Sequence, residues 1–282
     1  MSSLDAAAAI EALLVSRADT LEAWGGTGML VLARVAGMMA LLPGWQSGVF
    51  PFRLRCAAAL VVTWLVVPVL GETALPEQVT QLVPIVMGEF LVGATVGSGV
   101  LLLFAAVRGA GEIVDRQTGW GLGAVMDPAG NGGGPGTMIL VWSATAALFV
   151  MTPVNGHLLV LESFLESFES IRPGSIGMAE GVELSARLGD LVSRLVHQSL
   201  LLTIQVAAPM IAVMLLVSVV LGMVGRALPE TNMLVGAMPA RVLIGIALLA
   251  VVQSGLGRMM VDVVPGMLQG VSASLVSASE GG

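Results

Sequence analysis

The apolar positions of this chain fall into six long blocks, roughly 27–44, 56–71, 82–107, 137–160, 199–225 and 238–264, with short polar segments between them. Each block approaches the ~20 residues that a helix needs to cross the hydrocarbon of a bilayer. A lone strand would leave its backbone unsatisfied there, so the pattern predicts helices. The blocks are not clean, however. Arg34 interrupts the first, Glu89 the third, Gln205 and Pro209 the fifth, and Arg258 and Asp262 the sixth. An ionised side chain inside a span is costly and faces protein or a water-filled space. Around Glu89 the run MGEFLVGATVGSG supplies Gly88, Gly93, Gly97 and Gly99, and Gly93 with Gly97 forms a GxxxG seam that lets helix backbones approach closely. These helices are patterned to pack on other helices.

The stretch 161–198 has a different period. Leu161, Phe164, Leu165, Phe168 and Ile171 share one helical face, with Glu162, Glu166 and Glu169 opposite. RPGS at 172–175 breaks that helix. A second arm follows, with Leu184, Leu188, Leu191, Val192 and Leu195 on its apolar side and Glu183/Arg187 and Asp190/Arg194 as acid-first pairs outside. The expectation is an amphipathic helical hairpin lying at a membrane surface or against partner helices. The predicted class is all-α and integral-membrane-type, with about six long apolar helices plus this hairpin. It is organised as an amphipathic N-terminal segment (1–26), one helical domain (27–265) and a flexible C-terminal tail (266–282).

Composition narrows the function. Of 282 residues 56% are hydrophobic and only 11% charged, against about 25% charged in soluble domains. A net charge of −7 argues against nucleic acid, whose phosphates call for a basic surface. Cys56 is the sole cysteine, and His157 and His197 are far apart in sequence, so no metal site, cofactor or catalytic set is expected. The first 26 residues hold Asp5, Glu11, Asp19 and Glu22 against Arg17, unlike the positive start of a signal peptide. Arg53, Arg55, Arg108, Arg116 and Arg226 follow blocks one, three and five, so the positive-inside rule puts both termini outside the cytoplasm, provided those loops face it.

One segment is polar, glycine-rich and short: AGEIVDRQTGWGLGAVMDPAGNGGGPGT, 110–137. Glu112, Asp115 and Arg116 can pair with neighbours, and Arg108 with Glu112 would be i, i+4 if the third helix continues. The bland reading is a connector between two helices, with GNGGGPG as its turn. His157 reads as a hydrogen-bonded packing residue, and the methionines, including Met38, Met39, Met210 and Met214, as core filler. GRALPETN, 225–232, reads as a helix end followed by a Pro-led turn, with Arg226, Pro229 and Asn232 as candidate subunit contacts.

PGWQSGVFPFRLRCAAAL (43–60), GEFLVGATVGSGVLLLFAAVRGAGEIVDRQTGWGLGAVMDPAGN (88–131), NGHLLVLESFLESF (155–168) and GRALPETNMLVGAMPAR (225–241) resemble, in order and spacing, the FliR/SpaR-type family of type III export gate subunits. The similarity covers roughly 27–265. The chain departs from the family pattern in its acidic N-terminal extension, in Glu230 where Gln is common, and in its long NGGGPG. DP after the polar loop and GH before the ESF helix lean to the flagellar branch over the virulence injectisomes.

The resemblance implies a bacterial inner-membrane subunit of the flagellar basal body, without catalysis or cofactor. Its implied partners are P- and Q-type gate subunits, an FlhB-type switch subunit and unfolded flagellar proteins in transit. It also implies that the loop after the third segment, within 108–136, plugs the passage. The plug residues would be Arg108, Gly111, Glu112, Asp115, Arg116, Gln117, Gly119, Trp120, Met126, Asp127 and Pro128. A small-solute or ion transporter using Glu89, Arg34 and Asp262 is the alternative.

Overall fold

A computed structural model of the chain describes residues 25–43, 51–70, 79–120, 134–149, 155–175, 178–227 and 233–280. These residues form helices and no strand: α1 (Gly25–Leu41), α2 (Phe52–Leu70), α3 (Val79–Thr118), α4 (Pro135–Phe149), α5 (Gly156–Ser170), α6 (Met178–Ala227) and α7 (Met233–Glu280). The all-α architecture is as expected. Four stretches are long and apolar enough to cross a membrane: Phe52–Leu70, Leu82–Thr118, Ala186–Ala227 and Ala237–Met259. Of the N-terminal segment, residues 1–24 lie outside the described residues.

Element boundaries differ from the apolar blocks for local reasons. The third helix does not stop at 107. Exposed Arg108, Glu112 and Arg116 continue it with i, i+4 pairs of 3.6 and 3.7 Å, and it ends where Gly119 takes φ 89°. A positive φ just past a helix end is where glycine escapes the Cβ clash. Asn155, at φ 41°, starts α5 within the fourth block, its carbonyl accepting from the Leu158 and Leu159 amides at 2.8 and 3.1 Å. The second hairpin arm and the fifth block are one 50-residue helix, α6, because neither glycine nor proline stands between Leu191 and Ile204. Residues 266–280, expected as a flexible tail, continue α7.

The chain divides into two compact units. Unit 1 takes residues 1–100, 162–192 and 271–282. Its core includes Leu30, Val31 and Val35 of α1, Val92 and Val96 of α3, and Phe164 and Phe168 of α5. Here α1 and α3 run parallel at near backbone contact. A Cβ on Gly93 would overlap the Arg34 carbonyl, and one turn on, a Cβ on Gly97 would sit 2.5 Å from the Met38 oxygen and 3.2 Å from Leu41 Cβ. Gly37 returns the fit from α1, where a Cβ would stand 2.9 Å from the Ala94 nitrogen.

Unit 2 takes residues 101–161 and 193–270. The second part of α3 pairs in parallel with α6: the Ser199 hydroxyl donates to the Leu102 carbonyl (2.8 Å) and Thr203 to Ala106 (3.2 Å), both at a sequence separation of 97. Ala106, Ala110, Ala207 and Met210 fill that seam with no solvent exposure. Met38, Met210 and Met214 are buried core residues.

Burial is uneven among the four candidate spans. The most apolar window of the α3 span is 61% buried, whereas those in α2, α6 and α7 are 22, 22 and 17% buried. Trp64, Val69, Trp142 and Leu243 are each more than two-thirds exposed. Outer helices this bare require lipid or other subunits around them.

Candidate functional site

Two buried polar clusters, one in each unit, organise the residues singled out by sequence. In unit 1, Arg34 of α1 and Glu89 of α3 are both fully buried, 55 residues apart in sequence. The guanidinium donates to Glu89 Oε2 from Nε (2.7 Å) and lies 2.6 Å from it through Nη2. Its remaining donors reach the end of α5: Nη1 to the Ser167 carbonyl (2.6 Å) and Nη2 to that of Ile171 (2.9 Å). Carbonyls at a helix C-terminus are short of backbone donors, that of Ser167 having only the Ile171 amide at 3.1 Å, and carry the negative end of the macrodipole, so a cation there both caps and complements the helix. Phe168 offers its ring 4.3 Å below the guanidinium carbon. The other Glu89 oxygen accepts from the Gly174 amide (3.0 Å), in the turn where Gly174 takes φ 82°.

Every strong donor and acceptor in this cluster is engaged, which is what makes a buried ion pair tolerable. The pair acts as a cap on the α5 terminus. It is not an open site: both Glu89 oxygens accept bonds, and no solvent reaches either side chain. A transporter reading needs a carboxylate facing a path, and this geometry offers none. Asp262, the third group of that alternative, has its side chain outside the described residues.

In unit 2 the central residue is Asp115, buried near the end of α3. It forms no ion pair with Arg108 or Arg116. Its carboxylate accepts instead from the amides of Gly136 (2.8 Å) and Thr137 (3.0 Å) and from the Thr137 hydroxyl (2.5 Å). These are amides of the first turn of α4, which have no acceptor within their own helix. Gly134, whose carbonyl accepts from Met138 (3.1 Å), holds the capping position but has no side chain to do the capping. Asp115 supplies that function from another helix, and a Cβ on Gly134 would lie 2.5 Å from its carboxyl carbon. Pro135 follows at the first helical position, where its missing N–H is no loss. Nothing in a one-dimensional reading links Asp115 to Gly136 and Thr137, although a side-chainless Gly-Pro-Gly helix start was a clue that the cap comes from elsewhere.

The remaining candidates divide as follows. Gly111 is buried, and a Cβ there would sit 3.0 Å from the Thr137 hydroxyl, so it shares the Asp115 cluster. Arg108, Glu112 and Arg116 form an exposed row, while Gln117, Gly119 and Trp120 are half-buried at the helix end. Met126, Asp127, Pro128, Pro229 and Asn232 lie outside the described residues, and Arg226 is exposed in the last turn of α6. His157, expected in packing, is exposed, while its neighbour Gly156 packs on Leu148, where a Cβ would lie 2.7 Å from Leu148 Cγ. Among the described residues no group of three or more His, Cys, Asp or Glu could hold a metal ion.

Comparison with known proteins places the chain in a lineage. Residues 26–267 match the family of bacterial export proteins, family 1. The flagellar biosynthetic protein FliR of Caulobacter vibrioides is 29% identical over 235 residues, 83% of this chain and 90% of the relative. That of Escherichia coli is 26% identical, over 78% of this chain and 81% of the relative. The surface presentation of antigens protein SpaR of Salmonella typhimurium is 30% identical, over 72% of this chain and 73% of its own length. A match over nearly all of the chain's apolar helices, with relatives covered along most of their length, makes this chain a member of the bacterial export proteins, family 1, the FliR-type export family.

Proposed function

We propose that this protein is a core subunit of the flagellar type III protein export gate. With P- and Q-type subunits and an FlhB-type switch subunit it builds, in the bacterial inner membrane at the basal body, a gated conduit for unfolded flagellar proteins. It is a structural component and performs no reaction of its own. The observation that carries the reading is the family match over 26–267 together with near full-length similarity to proteins named for flagellar biosynthesis. The wider coverage of the FliR relatives than of SpaR favours the flagellar branch.

Within that role the segment 108–136 serves as the plug. The Asp115 cluster supports this: it ties the end of α3 to the start of α4, so the two ends of the intervening segment are held to one anchor. Deleting the gene is expected to abolish motility and secretion of filament protein, with both restored by the gene on a plasmid. Secretion that continues without the gene would overturn the assignment. Deleting residues 121–133 alone is expected to let the assembled gate conduct ions, and unchanged membrane conductance would remove the plug role.

A further inference from the structure

The far end of α6 carries an apolar collar. Leu215, Leu216, Val219, Val220 and Met223 are all more than half exposed, and Arg226 follows in the last turn. Arg241 of α7 reaches into this collar, where its Nη2 donates to the Ser218 hydroxyl of α6 (3.3 Å). Among the described residues no carboxylate lies against that guanidinium. Ser218 and Arg226 are eight residues apart, about 12 Å of helix.

A bilayer alone does not suit this face. If hydrocarbon extends to the level of Arg226, the charge of Arg241 lies about 12 Å inside it, where a guanidinium whose only partner among the described residues is a hydroxyl is strongly disfavoured. If hydrocarbon stops at Arg241, then Val219, Val220 and Met223 stand beyond it with nothing over them. The uncharged interval of α7 from Arg241 to Arg258 spans 17 residues, about 25 Å, close to one hydrocarbon thickness, which favours the second placement. The part of the collar from Val219 to Met223 then lies outside the lipid, apolar and wet, with a cation at its edge. A single protein partner resolves both faults.

We propose that this collar is a subunit interface, and that its occupant is an apolar helix of another gate subunit that sets one carboxylate against Arg241. This rests on the export-gate reading for the identity of the assembly. The chemistry of the contact comes from the collar itself: apolar bulk to be covered, and a guanidinium whose planar donors accept a carboxylate in bidentate fashion.

The test uses the full-length chain in its assembled complex. R241L is expected to lower recovery of co-assembled subunits at least about tenfold, as for loss of one side of a buried charge pair, with the chain still present in the membrane at its normal level. S218A removes only the intrachain bond and is expected to leave recovery unchanged. R241E is expected to be rescued by substitutions of Asp or Glu to Lys or Arg in a neighbouring subunit. Should R241L lower the level of the chain itself, a photo-crosslinking residue at position 223 in the otherwise natural protein decides. A crosslink to another subunit supports the interface, and crosslinks to lipid alone overturn it. Normal recovery with R241L overturns the ionic contact. Failure of the gene deletion to affect secretion would instead remove the export-gate reading, on a readout separate from subunit recovery.

Discussion

Removing Arg34 should be among the most damaging single changes in the molecule. In R34M the apolar stem is largely kept, but Glu89 loses its ion pair and retains only the Gly174 amide at 3.0 Å. The Ile171 carbonyl loses its 2.9 Å donor, and that of Ser167 keeps only the Ile171 amide at 3.1 Å. Breaking a fully buried pair by taking one partner away costs about 3–5 kcal/mol, because a buried charge is left behind. At about 1.4 kcal/mol per factor of ten, the ratio of folded to unfolded chains falls by roughly two to three and a half powers of ten. The double variant R34M/E89L removes both charges. What remains is loss at two carbonyls and one amide, about 1 kcal/mol each, so it should be no worse than R34M and should show coupling of about 2 kcal/mol or more. The assay is a double-mutant cycle by denaturant unfolding in mixed micelles, with the steady-state level of the chain in cells as a second reading. If R34M costs less than about 1 kcal/mol, or the double variant equals the sum of the singles, the cluster does not hold α5 as described.

Three further outcomes follow from the packing. D115N keeps one acceptor oxygen but turns an NH2 toward the donors of either Gly136 or Thr137, so it should cost about 1–2 kcal/mol, as loss of a helix cap does; faster hydrogen exchange at one of those two amides is the check. G97A must push a methyl toward the Met38 carbonyl at 2.5 Å and should destabilise by about 1–3 kcal/mol, whereas G189A, with nothing within 4 Å, should be neutral or stabilise α6 by up to about 1 kcal/mol in the same unfolding assay. E112Q breaks both exposed pairs of the Arg108–Glu112–Arg116 row, at 3.6 and 3.7 Å, and should change stability by less than about 1 kcal/mol, a small effect that shrinks further in high salt.

Period and punctuation made the helices legible, and the limits of both account for what was missed. The apolar blocks marked every long helix, and GxxxG at Gly93 and Gly97 marked a position of close backbone approach. The junction inside α6 was not legible, because an amphipathic period followed by an apolar run looks like two elements although no residue between them stops a helix. Arg108 looked like the start of a loop because polarity rose there, yet i, i+4 pairing carried α3 on to Gly119. Arg34 and Glu89 stood out separately as intramembrane charges, but partners 55 residues apart leave no local trace. Asp115 was grouped with Arg116 by proximity in sequence, while its actual partners lie 21 and 22 residues downstream.

The Arg34 cluster also sets an order of events during synthesis. Its carboxylate arrives 55 residues after the arginine and its α5 carbonyl 133 residues after. At about 5–20 residues per second, the ribosome delivers Glu89 about 3–11 s later and Ser167 about 7–27 s later. Until then α1 carries an unmatched cation and has no stable resting place in hydrocarbon. The first helix therefore cannot settle before the third is made, and the N-terminal part of the chain is locked only once the end of α5 has followed.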